Sequence, residues 1–268
     1  SIVWVLLTGS LVKDKSGKVL YAIAQLQDIT SRKAAEQKLV SIINQKDRIT
    51  AAVAHDLRNP ISSIVALNQM YSSLENEDER EEISGLINEA CYKSLDIIKD
   101  LLEISQLEDE SFKLDSLKLD IVDLIQKSIR IFDSAIEKKN ISIDLQHPEN
   151  RIICDVNPQK MSRVFDNLLS NAIKFSRENA KISIRVYSNK EHKIIIEIED
   201  YGIGIPKNLQ AVIFDKFSKA RRIGLGGETS TGLGMSIVKQ IVELHKGKIS
   251  LKSAEGKGTC FTIELPKL

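Results

Sequence analysis

Three groups of residues in this chain have the types and spacing that chemistry can use. His55 is followed by Asp56, Leu57, Arg58, Asn59 and Pro60. A carboxylate that accepts from one imidazole N–H fixes the tautomer and leaves the other nitrogen's lone pair able to attack. Asn167, Asn171 and Lys174 are spaced i, i+4, i+7 and fall on one stripe of a helix. Carboxamide oxygens suit a hard cation such as Mg²⁺, and a lysine ammonium suits phosphate. Asp200 closes the apolar run IIIEIED and leads into Gly202 and Gly204. An acidic side chain there lies beside a backbone that can be approached closely, and it can accept the exocyclic amine of adenine.

Each group needs an element to hold it. Leu39, Ile43, Val53, Leu57, Ile64, Leu67, Tyr71 and Leu74 follow a 3,4 spacing from about residue 33, which predicts one long amphipathic helix. His55 is two residues from Val53 and from Leu57, hence rotated by roughly 160° from each, and points towards solvent. Pro60 lies inside the same pattern. It removes an N–H and clashes with the carbonyl of Asp56, so a bend is expected one turn after the histidine. After the acidic stretch Glu75 to Glu82, a second apolar stripe runs through Ile83, Leu86, Ile87, Ala90, Ile97, Ile98, Leu101, Ile104 and Leu107. Two long helices with a short polar loop form an antiparallel hairpin, and the apolar face is wider than two helices can cover. A homodimeric four-helix bundle is the simplest remedy.

Upstream, residues 2–12 and 19–27 are β-rich runs around a turn containing Gly17, and read as a hairpin. A lone hairpin is marginal in water, so it belongs to a larger sheet. From about Lys118 helices and strands mix: a helix near 120–139, strands near 141–146 and 151–156, and a helix over 158–175. Strands follow near 181–188 and 193–200, then a helix from about 232 and a final hairpin over 248–265. This mixture indicates an α+β layer.

Bulk properties exclude several functions. Among 268 residues, 38 Lys+Arg balance 37 Asp+Glu, so there is no global basic field for non-specific nucleic-acid binding. Cys91, Cys154 and Cys260 are widely separated and read as buried thiols in a reducing cytosol. The apolar run Ile2 to Leu7 is far shorter than the roughly 20 residues of a membrane span, so no membrane contact is expected of this segment. With neither an initiator Met nor a signal-peptide pattern, Ser1 reads as the start of a piece, whose full-length protein could be tethered to a membrane upstream. No Walker A or GxGxxG pattern follows a strand, and the serine/threonine kinase signatures are missing.

The string from His55 to Pro60 resembles the phospho-acceptor box of the histidine kinase family: a histidine, an acid, an apolar residue, a basic residue, Thr or Asn, then Pro. Five further strings resemble elements of the Bergerat ATP-binding fold. NLLSNAIKFS is similar to its asparagine box, DYGIGIP to its first glycine box and IFDKF to its phenylalanine box. STGLGMSIVKQIVELHKG is similar to the second glycine box, and EGKGT to a late glycine element. Order and spacing resemble the histidine kinase branch through nearly all of residues 45–268. DITSRK, residues 28–33, resembles the exit of a PAS sensory domain.

The resemblance implies His55 as nucleophile, Asp56 as the acid that orients it, and Asn59 as a residue that positions water for removing phosphate from a partner. It implies Asn167 and Asn171 for Mg²⁺, Lys174 for the phosphates of ATP and Asp200 for adenine. Gly202, Gly204, Gly232 and Gly234 would form backbone turns around the nucleotide, with Phe175, Phe214, Lys219, Thr231, Leu233 and Thr259 also lining the site. Residues 218–230 would be a lid. Phe175 stands where many relatives carry Tyr, and Lys219 where many carry Arg, for which Arg221 or Arg222 could substitute.

The expected architecture is α+β and multidomain. Strands of a PAS-like domain (1–30), a signalling helix (31–47) and a dimerisation and histidine phosphotransfer domain (48–112) precede a Bergerat-type α/β sandwich (113–268). The expected function is ATP-dependent phosphorylation of His55 followed by transfer to an aspartate on the receiver domain of a separate response regulator, in a cytoplasmic homodimer. A dimeric scaffold with a nucleotide-dependent switch is the rival reading. His147 and His192 read as surface residues, Trp4 as core of the sensor, and His245 as a cation favoured by a helix C-terminus.

Overall fold

The computed structural model describes residues 2–109, 112–189, 191–216, 218, 224–225 and 232–267, except the side chains of Gln45 and Arg48. Lys219, Thr231 and most of the expected lid, with Arg221 and Arg222, lie outside the described residues. The chain divides into two compact units, 1–55 and 56–268.

In the first unit, β1 (Val5–Lys13) pairs antiparallel with β2 (Val19–Asp28). Asp28 then caps α1 (Thr30–Tyr71) by accepting the Thr30 N–H at 2.8 Å. Trp4 N–H donates to Thr30 Oγ1 at 2.9 Å, and Ile29 N–H donates to the Trp4 carbonyl, so the hairpin is bonded to the helix start. Leu7, Leu20 and Leu26 are exposed, and Trp4 is half exposed on this two-stranded hairpin. α1 is one 42-residue helix that continues through Pro60.

The second unit contains the remainder of α1 and then α2 (Glu77–Leu107), whose N-cap Asn76 accepts from the Asp78 N–H. On α2, Ala90, Ile97, Ile104 and Leu107 are buried, whereas Leu86 and Ile98, expected on the same stripe, are exposed. There follow β3 (Leu117–Asp120), α3 (Ile121–Ile131), α4 (Asp133–Lys138), β4 (Ser142–Gln146) and β5 (Ile153–Val156). Next come α5 (Pro158–Phe175), β6 (Lys181–Ser188), β7 (Lys193–Asp200) and α6 (Lys207–Gln210). The chain closes with α7 (Gly234–Leu244), β8 (Lys248–Ala254) and β9 (Gly258–Pro266). The expected helix over 120–139 is two helices broken at Phe132, and β3 was not anticipated.

The main sheet has the order β4-β6-β7-β9-β8, parallel only between β4 and β6, while β3 and β5 form a separate antiparallel pair. Alternation in β6, β7 and β9 puts Ile182, Ile184, Ile194, Ile196, Ile198 and Ile263 on one buried face. α3, α5 and α7 supply Ile125, Phe165, Leu168, Leu169, Ile237 and Ile241 to the same core. Each such side chain contributes roughly 1.5–3 kcal/mol on burial, so the packed sheet face is the main support of the unit. The three cysteines are free, and only Cys154 is fully buried, its thiol pushed up to about 11 by desolvation.

His245 corrects the expectation of a solvated cation at a helix end. It is buried, its Nδ1–H donates to the Ile241 carbonyl at 2.7 Å, and its Nε2 accepts the Asn157 N–H at 2.9 Å. Accepting through Nε2 requires the neutral ring. Burial lowers its pKa from 6.5, against opposing contributions from its bond to Ile241 and from Asp155. A depressed base contributes stability that is fully present above pH 6.5 and is lost as pH falls through the lowered value. Urea unfolding of the parent should therefore lose more stability between neutral pH and about pH 5 than His245→Gln does; equal slopes would refute the assignment.

Candidate functional site

α5 carries the first group because its start is over-determined. Asn157 caps it by accepting the Lys160 N–H at 2.9 Å, Pro158 occupies the first turn, and the Asn157 N–H is itself held by His245. With Met161, Val164, Phe165, Leu168 and Leu169 buried, Asn167, Asn171 and Lys174 are left on a half-buried flank. Asn167 Nδ2 donates to the Arg163 carbonyl at 2.8 Å, and Asn171 Nδ2 donates to the Met235 sulfur at 3.3 Å. Each carboxamide thus uses its donor on the protein, and its oxygen is the atom it can offer a cation. Gly234 makes room for this: a Cβ there would lie 2.5 Å from Asn167 Oδ1.

Asp200 ends β7 with only 6% of its surface exposed. Its Oδ1 accepts the Gly202 N–H at 2.9 Å, and the Thr259 N–H also donates to it. Desolvation dominates these bonds and raises its pKa from 3.8 to about 6, with nearby Glu199 adding to the rise. The strand end is crowded by backbone. A Cβ on Gly202 would lie 2.1 Å from the Phe175 carbonyl oxygen, so the chain can pass here only as glycine. Ser253 ties the surrounding loops: its hydroxyl donates to the Gly258 carbonyl, accepts the Ile205 N–H at 2.8 Å, and lies 3.0 Å from Thr259 Oγ1. Phe214 packs edge-on against Phe261, with ring centroids 6.5 Å apart. A buried carboxylate and two carboxamides beside glycine-lined backbone can hold an aminopurine at one end and a cation with its phosphates at the other.

Residues 156–268 match the family model of histidine kinase-, DNA gyrase B- and HSP90-like ATPases, and residues 45–110 match that of the His kinase A phospho-acceptor domain. The chain belongs to the histidine kinase family. It is 32% identical over 266 residues to the sensor protein kinase WalK of Staphylococcus aureus, covering 96% of this chain and 60% of that protein. Against WalK of strain JH9 the share of the relative covered is 41%, so the chain spans about half the length of the curated relatives it matches. Among solved structures, histidine kinase ThkA in complex with response regulator TrrA aligns over 98% of this chain and 75% of that one, with 25% identity and a TM-score of 0.69. The catalytic domain of ThkA aligns at 28% identity and a TM-score of 0.51 over 57% of this chain and 97% of that one. Histidine kinase AdeS of Acinetobacter baumannii shares the fold, at 22% identity and a TM-score of 0.62 over 80% of this chain and 98% of that one.

In this member of the family the second unit brings together Asn167, Asn171 and Gly234, and separately Phe175, Asp200, Gly202 and Thr259. Lys174 Nζ lies 5.9 Å from the Phe175 ring centroid. Gly204 and Gly232 both adopt positive φ. Leu233 is fully buried in the core. His55 and Asn59 are exposed on α1, Asp56 and Pro60 are half-buried, and the Asn59 carbonyl accepts the Ser63 hydroxyl at 3.1 Å. Sequence reasoning missed Ser253 and Met235. Met235 at least followed Gly234 inside a recognised string, whereas Ser253 sits in an ordinary alternating strand and carries no signal.

A carboxyl whose folded pKa is raised contributes stability below pH 3.8 and loses it as pH rises through about 6, so charged Asp200 costs the empty domain up to ~3 kcal/mol at neutral pH. Asp200→Asn should raise the melting temperature of the nucleotide-free protein and abolish the further rise that Mg-ATP produces in the parent. A lowered melting temperature would contradict the buried-charge account.

Proposed function

We propose that this chain is the core of a sensor histidine kinase that phosphorylates its own His55 from Mg-ATP and passes the phosphoryl group to a receiver-domain aspartate of a separate response regulator. The observation that carries the reading is an exposed His55 followed by Asp56 on one unbroken helix, in a chain that also carries the carboxylate and carboxamide cradle. Membership of the family supports it, and so does the relative ThkA, solved with the response regulator TrrA.

Asp56 holds the imidazole in the tautomer whose other nitrogen attacks the γ-phosphorus. The N–P bond forms as the bond from the γ-phosphorus to the bridging oxygen of ADP breaks, and Asp56 stabilises the positive charge that develops on the ring. Asp200 accepts the adenine amine, while Gly202 and Gly204 let the backbone pass close to the base. Asn167 and Asn171 offer their oxygens to Mg²⁺, whose charge offsets that of the phosphates when it is bound. Lys174 adds a cation on the same flank, with Lys219 and Thr231 as further contacts. Asn59, one turn beyond His55, is placed to orient water for dephosphorylating the regulator.

A second copy of the chain is the partner that the helices call for. Ile61, Val65 and Met70 on α1 and Leu95, Ile98 and Leu102 on α2 are exposed in the single chain. Pairing two hairpins into a four-helix bundle would bury them. The β1–β2 hairpin is then the tail of a PAS-like sheet, and α1 up to about residue 47 the signalling helix. Among the described residues no helix is long and apolar enough to cross a membrane, and we assign this segment to the cytoplasm.

Incubation with γ-labelled ATP should give acid-labile, alkali-stable protein label that His55→Gln abolishes. No label at all would favour the scaffold, and release of free phosphate alone would indicate an ATPase. Gly234→Ala, which pushes on Asn167 Oδ1, should weaken Mg-ATP binding about tenfold or more by calorimetry; unaltered affinity would remove Asn167 from the cation site.

A further inference from the structure

Three polar side chains stand in one row at the end of the main sheet. Ser253 on β8 pairs with Thr259 on β9, and Thr259 pairs with Asp200 on β7, so the three lie directly opposite one another on the same face. Asp200 is 6% exposed and Thr259 5%, and Ser253 is half-buried beside them. Asp200 and Thr259 belong to the purine end of the site; Ser253 is one strand further away. Every hydrogen-bonding position of its hydroxyl is nevertheless engaged. It donates its one proton to the Gly258 carbonyl at 2.8 Å and accepts the Ile205 N–H at 2.8 Å. Its oxygen also lies 3.0 Å from Thr259 Oγ1.

A hydroxyl carries one proton and two lone pairs. With the Ser253 proton committed to Gly258, the bond between the two hydroxyls runs from Thr259 to Ser253. Thr259 Oγ1 thereby spends its proton on the protein and is left with lone pairs for a ligand. Asp200, when ionised, is an acceptor as well. The row thus presents acceptors at its inner end. That suits the exocyclic amine of a 6-aminopurine and leaves the carbonyl of a 6-oxopurine facing lone pairs. A threonine hydroxyl free to rotate would donate to that carbonyl and tolerate it. The adjoining loop is held by a separate clip. Gln210 Nε2 donates to the Ile205 carbonyl at 2.7 Å and to the Ser253 carbonyl at 3.0 Å, so both backbone groups of Ile205 are bound by side chains.

We propose that Ser253 is a positioning residue for base selection: by holding the Thr259 hydroxyl as an acceptor, it makes the site favour a 6-aminopurine nucleotide over a 6-oxopurine one. This rests on the reading above that Asp200 and Thr259 meet the base of a bound nucleotide. Ser253 acts through Thr259 and does not itself contact the base. Gln210 braces the same loop through two carbonyls and leaves the row of hydroxyls as it is, so the two side chains separate the rigidity of the loop from the direction of the Thr259 proton.

Calorimetric titration of the whole chain with Mg-ATP and with Mg-ITP, whose base carries oxygen in place of the 6-amine, reads the selection as a ratio of affinities. It is run at about pH 8, above the value of about 6 to which burial raises the Asp200 carboxyl. The parent should favour ATP about a hundredfold or more, because ITP leaves acceptor facing acceptor in a buried site. Ser253→Ala should cut that preference about tenfold or more, chiefly through tighter ITP binding, and Ser253→Thr should keep it. Ser253→Cys, of the same shape but a weak hydrogen-bonding partner, should move the ratio in the direction of alanine and serves where the alanine variant does not fold. Gln210→Leu should weaken both nucleotides alike and keep the ratio. Because each ratio is taken within one variant, a general loss of stability cancels. A ratio that is the same in the parent and in the alanine and cysteine variants would overturn the role of Ser253 and leave the ATP reading standing. A Gln210→Leu ratio that relaxes as far as that of Ser253→Ala would also overturn it, since loop mobility alone would then account for the effect. A parent that binds neither nucleotide would sink the ATP reading and this proposal with it.

Discussion

The ATPase-family domain of this chain is organised around a carboxylate held in an interior that disfavours its charge. Asp200 remains where it is because β7 is locked between β6 and β9, and because two backbone N–H groups, from Gly202 and Thr259, are aimed at it. The Gly202 N–H reaches it because glycine can pass against the Phe175 carbonyl, and the Thr259 N–H because β9 pairs with β7 beside Gly258, whose carbonyl Ser253 holds. A group that is uncomfortable in the empty protein and gains a partner from ligand is a common arrangement at functional sites. Here it makes the protonation of that carboxyl depend directly on the sheet register.

The two halves of the molecule use opposite physics at their surfaces. The helices leave apolar side chains uncovered in a single chain, a pattern that favours lasting association with a copy of itself. Between α2 and α5 the contact is dominated by paired charges, Glu103 with Lys160 and Asp100 with Arg163, whose mutual attraction is largely offset by their desolvation.

Much of this was legible in the residues. α5 was bounded correctly because Asn157 and Pro158 mark a helix start and the apolar stripe continues unbroken to Phe175. The strands of the main sheet were legible from their isoleucine alternation. β3 was missed because four residues, Leu117 to Asp120, are too short to show a period. The break at Phe132 was hidden because apolar spacing carries on across it. His245 was misjudged for a different reason: its position at a helix end was right, but its burial depends on the loop before α5, nearly ninety residues away along the chain. Asp100 and Glu103 look like ordinary polar positions of an amphipathic helix, and only the facing cations on α5 give them meaning.

The uninterrupted course of α1 has a mechanical corollary. Thr30, bonded to the β1–β2 hairpin, and His55 are 25 residues apart in a straight α-helix, which is about 38 Å of axial rise and almost a whole number of turns, so the two lie within ~20° of the same azimuth. A twist applied where the hairpin grips the rod therefore arrives at the imidazole as a twist of equal size and known direction. Inserting a single residue between them would swing the imidazole by about 100° and leave every local contact intact.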